Sequence, residues 1–191
     1  MSLRFLFRNE DHIVKALAFA RANGLKVSLA AVRHSMGGHA FDDNALVLDL
    51  KKFNKVSVDA AARTMTLQPG ARWHDIQNLL HPRFAVKAMQ STDIFSVGGS
   101  LSVNAHGMDH QAGSVAGSIR SMRMMLADGS VTTCSATQNI CLLYTYYAAE
   151  DLLCVDLGGG RIIKKKNNVI LELHVTSYRI LNTSEEMVVS K

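Results

Sequence analysis

Two short stretches of this chain carry residue types that can hold an anion and point a histidine at a ligand. The first reads Val32-Arg33-His34-Ser35-Met36-Gly37-Gly38-His39-Ala40-Phe41 and offers two imidazoles, a hydroxyl and a Gly-Gly pair. The second, Val97-Gly98-Gly99-Ser100-Leu101-Ser102-Val103-Asn104-Ala105-His106-Gly107, again sets small residues beside a histidine. Glycine lets the main chain turn its N–H groups toward an anion with no Cβ in the way. A neutral imidazole is nucleophilic near pH 7 and can also hydrogen-bond a ligand. Two loops of this kind in one small chain suggest one extended, phosphate-bearing ligand gripped at two points.

The surrounding pattern supplies elements to position them. Asn9 is a candidate N-cap, with acidic Glu10 and Asp11 behind it. Ile13, Ala16, Leu17 and Ala20 fall at helical spacing, and Gly24 ends the helix. Strands are expected over residues 26–31 and 45–50, then 55–59 and 64–68, with Pro69-Gly70 closing the pair. Trp73, Ile76, Leu79 and Leu80 predict a helix over 71–81. Residues 122–126, the turn Asp128-Gly129 and residues 131–134 read as a hairpin. A last strand is expected over 169–176. The pattern is α/β at the start and mostly antiparallel afterwards. Met122, Met124 and Met125 read as core filling.

Composition narrows the class. The chain has 191 residues, of which 48% are hydrophobic and 19% charged, enough for one medium domain or two small lobes. A formal charge of +5 suits an anionic ligand. It comes with no basic stripe interleaved with aromatics, so nucleic acid is not expected. The N-terminal residues lack the long apolar core of a signal peptide, and no stretch approaches the roughly 20 residues of a membrane span. Cys134, Cys141 and Cys154 are odd in number and lack CxxC spacing, which argues against disulfides and zinc. A reducing, cytoplasmic compartment is expected. No Walker, HExxH or GxGxxG pattern is present, so metal-dependent hydrolysis and nicotinamide binding of the Rossmann type are not expected.

In order and spacing these motifs resemble the FAD-binding (PCMH-type) domain of the vanillyl-alcohol oxidase / p-cresol methylhydroxylase flavoproteins. The resemblance runs from about Asn9 to Asn139. It rests on Arg33-His34-Ser35-Met36-Gly37-Gly38, Leu46-Val47-Leu48-Asp49-Leu50, Leu67-Gln68-Pro69-Gly70-Ala71, Trp73-His74-Asp75-Ile76, the Val97–Gly107 stretch and Leu126-Ala127-Asp128-Gly129. It implies an α+β fold of two lobes, a small α/β lobe over residues 1–54 and a mostly antiparallel α+β lobe over 55–191, with FAD extended between them. The cofactor-binding residues it implies are Arg33, His34, Ser35, Met36, Gly37, Gly38 and His39 in the first stretch. In the second they are Gly98, Gly99, Ser100, Ser102, Asn104, His106 and Gly107, and beyond it Ser114, Gly117 and Ile119 near the adenosine end. His34 is the favoured point of covalent attachment to the flavin, with His39 as its rival. His106 either touches a phosphate oxygen or holds its loop. His74, His81, His110 and His174 are given no role.

Three departures matter. Ala31 and Val32 stand where glycine is common, which narrows the approach to the pyrophosphate. Residues 140–168 do not reproduce the family's flavin-contacting loop, and Gly158-Gly159-Gly160 lies in the wrong context. The chain stops about where the FAD domain of the family stops, so the substrate or cap domain is expected to be absent. The implied activity is that of a flavin-dependent oxidase or dehydrogenase acting on an alcohol carbon of a sugar, alditol or aldonolactone. The alternative is a truncated or degenerate FAD-binding domain with no catalysis of its own. A small-molecule substrate would join only if a cap domain is supplied elsewhere.

Overall fold

The computed structural model describes residues 3–7, 9–35, 37–38, 40–140 and 171–182. Met36, His39 and Gly158 to Gly160, and the segment beyond Ile140 expected to be atypical, lie outside them.

The chain opens with a three-stranded parallel sheet. Strand β1 (Leu3–Leu6), which the sequence reading missed, pairs with β3 (Ala45–Asp49), and β3 pairs with β2 (Lys26–Ala30). Between β1 and β2 lies helix α1 (Glu10–Ala22). It starts where expected, because the Asn9 side chain accepts the His12 N–H at 3.1 Å. Gly24, at φ +62, takes the left-handed turn that follows. Central strand β3 is buried along its whole length. Its alternation explains why: Leu46 and Leu48 join Ile13, Ala16, Leu17 and Ala20 of α1, while Val47 packs with Ala30 and Ala40. A 3-10 turn, Leu50–Lys52, leads out of the sheet.

The remaining strands form an antiparallel sheet. β4 (Val56–Asp59), β5 (Thr64–Leu67), β6 (Phe84–Val86), β7 (Ile119–Met125), β8 (Val131–Ser135) and β9 (Leu171–Asn182) take the order β4-β5-β9-β7-β8, with β6 also paired to β9. β9 is longer than the periodicity suggested, because it serves three partners, β5, β6 and β7. Helix α2 (Trp73–Leu80) buries Trp73, Ile76 and Leu80, while Leu79 is exposed, off that stripe. Met122 and Met124 lie in this core, and Met125 reaches the core under α1.

The second glycine-rich stretch is not the loop expected from its composition. Residues Val97–Ser102 form a short helix, α3, capped by Ser96. Tertiary packing overrides the low helix propensity of its two glycines. A Cβ on Gly98 would stand 2.7 Å from the Cβ of Pro69, so this turn of helix reaches its position only without a side chain there. A 3-10 turn, Val115–Ser118, then leads into β7.

Candidate functional site

A cleft of about 500 Å³ joins the stretches over residues 32–41 and 97–107. One wall is the segment after β2, including Arg33, His34 and Ser35. The other is the start of α3, with Ser96, Gly98, Gly99 and Ser102. Leu29, Ala30, Leu50, Pro69, Phe95 and Val103 give it apolar surface. The His34 ring stands edge-on to Phe95, with centroids 5.4 Å apart and planes at 76°.

Hydrogen bonding divides the labour between the two walls. Among the described residues, the main-chain N–H groups of Arg33, His34, Ser35, Gly37 and Gly38 meet no acceptor. All five are exposed. Arg33 and Gly38 have φ of +62 and +68, left-handed backbone conformations. For arginine that conformation costs on the order of 1 kcal/mol, and such strain gathers at ligand clamps. The α3 wall is different. The Val97 N–H donates to the Ala71 carbonyl at 2.8 Å and the Gly98 N–H to the Pro69 carbonyl at 2.9 Å. Ser96 Oγ accepts from the Gly99 N–H at 3.4 Å. Gly98 and Gly99 therefore give the cleft a smooth surface more than a set of free donors, a correction to the anion-gripping role read from their composition.

Asp49 sets the first wall in place. Its side chain is fully buried at the end of β3. One carboxylate oxygen accepts from Arg4 Nε at 2.8 Å, from Arg4 Nη2, and from Arg33 Nη2 at 3.0 Å. The other accepts the Lys51 N–H at 2.9 Å. Burial pushes this carboxyl upward, but the Lys51 N–H and the Arg4 and Arg33 guanidiniums outweigh it and hold its pKa below the usual carboxylate value.

The remaining candidate residues split. The Ser100 hydroxyl is buried, accepts Trp73 Nε1–H at 2.8 Å and bonds Gln90 Oε1, so it serves the core. Asn104 is 1% exposed and at φ +44, and its Oδ1 accepts the Ala116 N–H at 3.2 Å. Its Nδ2 has no partner among the described residues. His106 is exposed, and its Nδ1 lies 3.1 Å from the Gly107 carbonyl oxygen. Gly107 passes so close to Met89 that a Cβ would lie 2.4 Å from its carbonyl oxygen. Ser114 bridges to His106, Gly117 is exposed, and Ile119 is buried at the start of β7. None of Ser100, Asn104, His106, Gly107, Ser114, Gly117 and Ile119 lines the cleft. Phe95, Ser96 and Gln90 do, and the sequence reading missed them. Only the fold brings residues 90–96 against the 31–35 segment.

The comparisons with known proteins fall on this same frame. A family model described as FAD binding domain matches residues 2–135, well over half of the chain. The chain belongs to that family. The FAD-linked oxidoreductase pgmH of Aspergillus terreus is 32% identical over 142 residues, covering 74% of this chain and 28% of its own length. Xylooligosaccharide oxidase of Thermothelomyces thermophilus is 30% identical over 133 residues, covering 68% of this chain and 27% of its own. The chain thus spans less than a third of the curated relatives it matches. Among solved structures, xylooligosaccharide oxidase of Myceliophthora thermophila C1 with xylobiose superposes with a TM-score of 0.71 at 22% identity, over 95% of this chain and 36% of that one. 6-Hydroxy-D-nicotine oxidase of Arthrobacter nicotinovorans gives 0.72 at 20%, over 92% and 36%. The fold is that of the FAD-linked oxidases, and this FAD-binding domain is α+β, as the motifs implied. Among the described residues, no helix is long and apolar enough to cross a membrane.

The residues present fit FAD. The cleft has apolar surface for a ring system, and it is lined as well by Arg33, His34 and Ser35, whose N–H groups meet no acceptor among the described residues.

Proposed function

We propose that FAD lies along the cleft between the 31–38 segment and α3. Arg33 and the N–H groups of His34, Ser35, Gly37 and Gly38 would hold the pyrophosphate, and Gly98, Gly99 and Ser102 would line the opposite side. Arg33, His34 and Ser35, whose N–H groups meet no acceptor among the described residues and which line a cleft with apolar surface, carry this reading. In the same reading the chain divides near residue 54 into two lobes, supported by a parallel sheet on one side of that point and an antiparallel sheet on the other. Asn104, His106, Gly107, Ser114, Gly117 and Ile119 shape the chain behind the cleft.

The whole protein would oxidise an alcohol carbon of a sugar, alditol or aldonolactone. Supporting this, relatives carry the names xylooligosaccharide oxidase, putative D-arabinono-1,4-lactone oxidase and decaprenylphosphoryl-beta-D-ribose oxidase. Bound FAD supplies a two-electron acceptor. The chain's own contribution is to bind and orient it and to keep water from its apolar walls. The free, buried Cys134 suits a reducing compartment such as the cytoplasm.

The purified chain is expected to show flavin absorption bands or to acquire them on adding FAD. Attachment through His34 is part of this reading, supported by its place in the cleft wall. Acid precipitation should then leave the bands with the pellet, and His34→Ala should release them to the supernatant. Retention in His34→Ala with release in His39→Ala would move the bond to the rival histidine. A colourless chain that takes up no FAD would favour the degenerate-domain alternative.

A further inference from the structure

A second cleft, about 510 Å³, adjoins the first. Ala31, Val32, Arg33 and His34 line both. Its remaining wall is new: Arg4, Lys51, Arg72, His74, Asp93 and Ile94. Four full cations therefore face one space, drawn from β1, the loop after β2, the 3-10 turn and the start of α2; one of them, Arg33, is shared with the flavin cleft.

Their pairing leaves positive charge to spare. Arg4 and Arg33 share the single buried carboxylate of Asp49, and through the same oxygen. Arg72 pairs with Asp75 at 2.9 Å. His74 Nδ1 meets Asp93 at 2.8 Å and its Nε2 meets Asn78 Nδ2 at 3.1 Å. The Lys51 ammonium has no acceptor among the described residues. Asp93 is the one carboxylate in the lining. Guanidiniums fixed from behind by a buried carboxylate lose little freedom when they take a further acceptor.

We propose that this cleft holds an oxyanion, a phosphate or a carboxylate, on a small molecule bound beside the flavin, and so that the substrate class is an acidic or phosphorylated one. The assignment of FAD to the neighbouring cleft underlies the second half of this statement. The first half stands on the cation cleft itself. An anion anchored here would fix a reactant next to the cofactor, with binding energy drawn from a group remote from the reacting carbon.

The test is a calorimetric titration of the FAD-saturated chain with inorganic phosphate, and separately with acetate as the carboxylate probe. Saturable binding of either is expected, and the tighter probe identifies the source of the oxyanion. Lys51→Ser/Arg72→Ser should weaken that binding at least tenfold while FAD uptake is unchanged, since neither residue lines the flavin cleft. Lys51→Arg/Arg72→Lys should restore it, which separates charge from loss of fold. Absence of saturable binding in the FAD-loaded chain overturns the proposal. So does binding that FAD abolishes, because the cations would then belong to the flavin site. Equal weakening by Lys55→Ser, an exposed lysine outside both clefts, reduces the effect to general surface charge and also overturns it. If the chain takes up no FAD, the flavin assignment fails separately, and phosphate binding to the free chain still decides whether the cleft is an anion site.

Discussion

Gly70→Ala is expected to unfold the junction behind the flavin cleft, lowering stability by about 3 kcal/mol or more. A Cβ at this position would stand 2.0 Å from the Leu50 carbonyl oxygen and 2.7 Å from that of Phe53. Both obstacles are main-chain atoms, so no rotamer change relieves them. The Gly70 N–H also donates to the Phe53 carbonyl at 2.8 Å, which locks the approach. Relief requires the 3-10 turn to move away from the 69–71 segment. Leu50 and Pro69 both line the flavin cleft, so that movement opens its floor. A urea titration followed by circular dichroism should show the midpoint falling, and FAD uptake should fall with it. Gly117→Ala is the matched control. Nothing lies within 4 Å of its added Cβ and its backbone is not left-handed, so stability should stay within about 0.5 kcal/mol of the parent. Parent-like stability in Gly70→Ala would show that the close approach of these two segments is dispensable.

What could be read from residues alone follows from where the determining physics lies. The Asn9 cap, the α1 stripe and the Asp128-Gly129 hairpin are local, and each stands in the structure close to its expected limits. Of the first stretch, Arg33, His34 and Ser35 line the cleft, while Gly37 and Gly38 stand outside its lining. α3 was not legible. Its glycines signal a loop until Pro69, distant in sequence, is seen to press against Gly98. The role of Ser100 was misjudged for the same reason, since its hydroxyl answers Trp73 and Gln90 rather than a ligand. His74 was given no role because its relation to Arg4 and Lys51 exists only once the two sheets are side by side. β1 was missed because four residues, one of them charged, carry too little periodicity to register.

Asp49 offers the other large effect, and one with a pH signature. Asp49→Ala removes the acceptor that ties β1, the Arg33 segment and the 3-10 turn together. Charge-assisted hydrogen bonds of this kind contribute about 1.5–3 kcal/mol each. Arg4 and Arg33 side chains are 50% and 35% exposed, so both can return to water, and the total loss should be nearer 2–3 kcal/mol than the simple sum. If FAD lies in the cleft as proposed, its affinity should drop further than stability alone accounts for, because the Arg33 side chain would lose the carboxylate that holds it. The sign of the pH dependence follows from the lowered pKa of this carboxyl. Folding favours its ionised form, so its stabilisation is complete above the ordinary value of 3.8 and is lost as pH falls below that value through the folded one. Asp49→Asn keeps the shape but cannot ionise. Relative to the parent, it should be destabilised at neutral pH, and that difference should shrink on acidification below about pH 4. Denaturant midpoints measured from pH 7 to pH 3 for both proteins decide the matter. A difference that stays constant across that range would mean the carboxylate charge contributes nothing and only the shape of the residue matters.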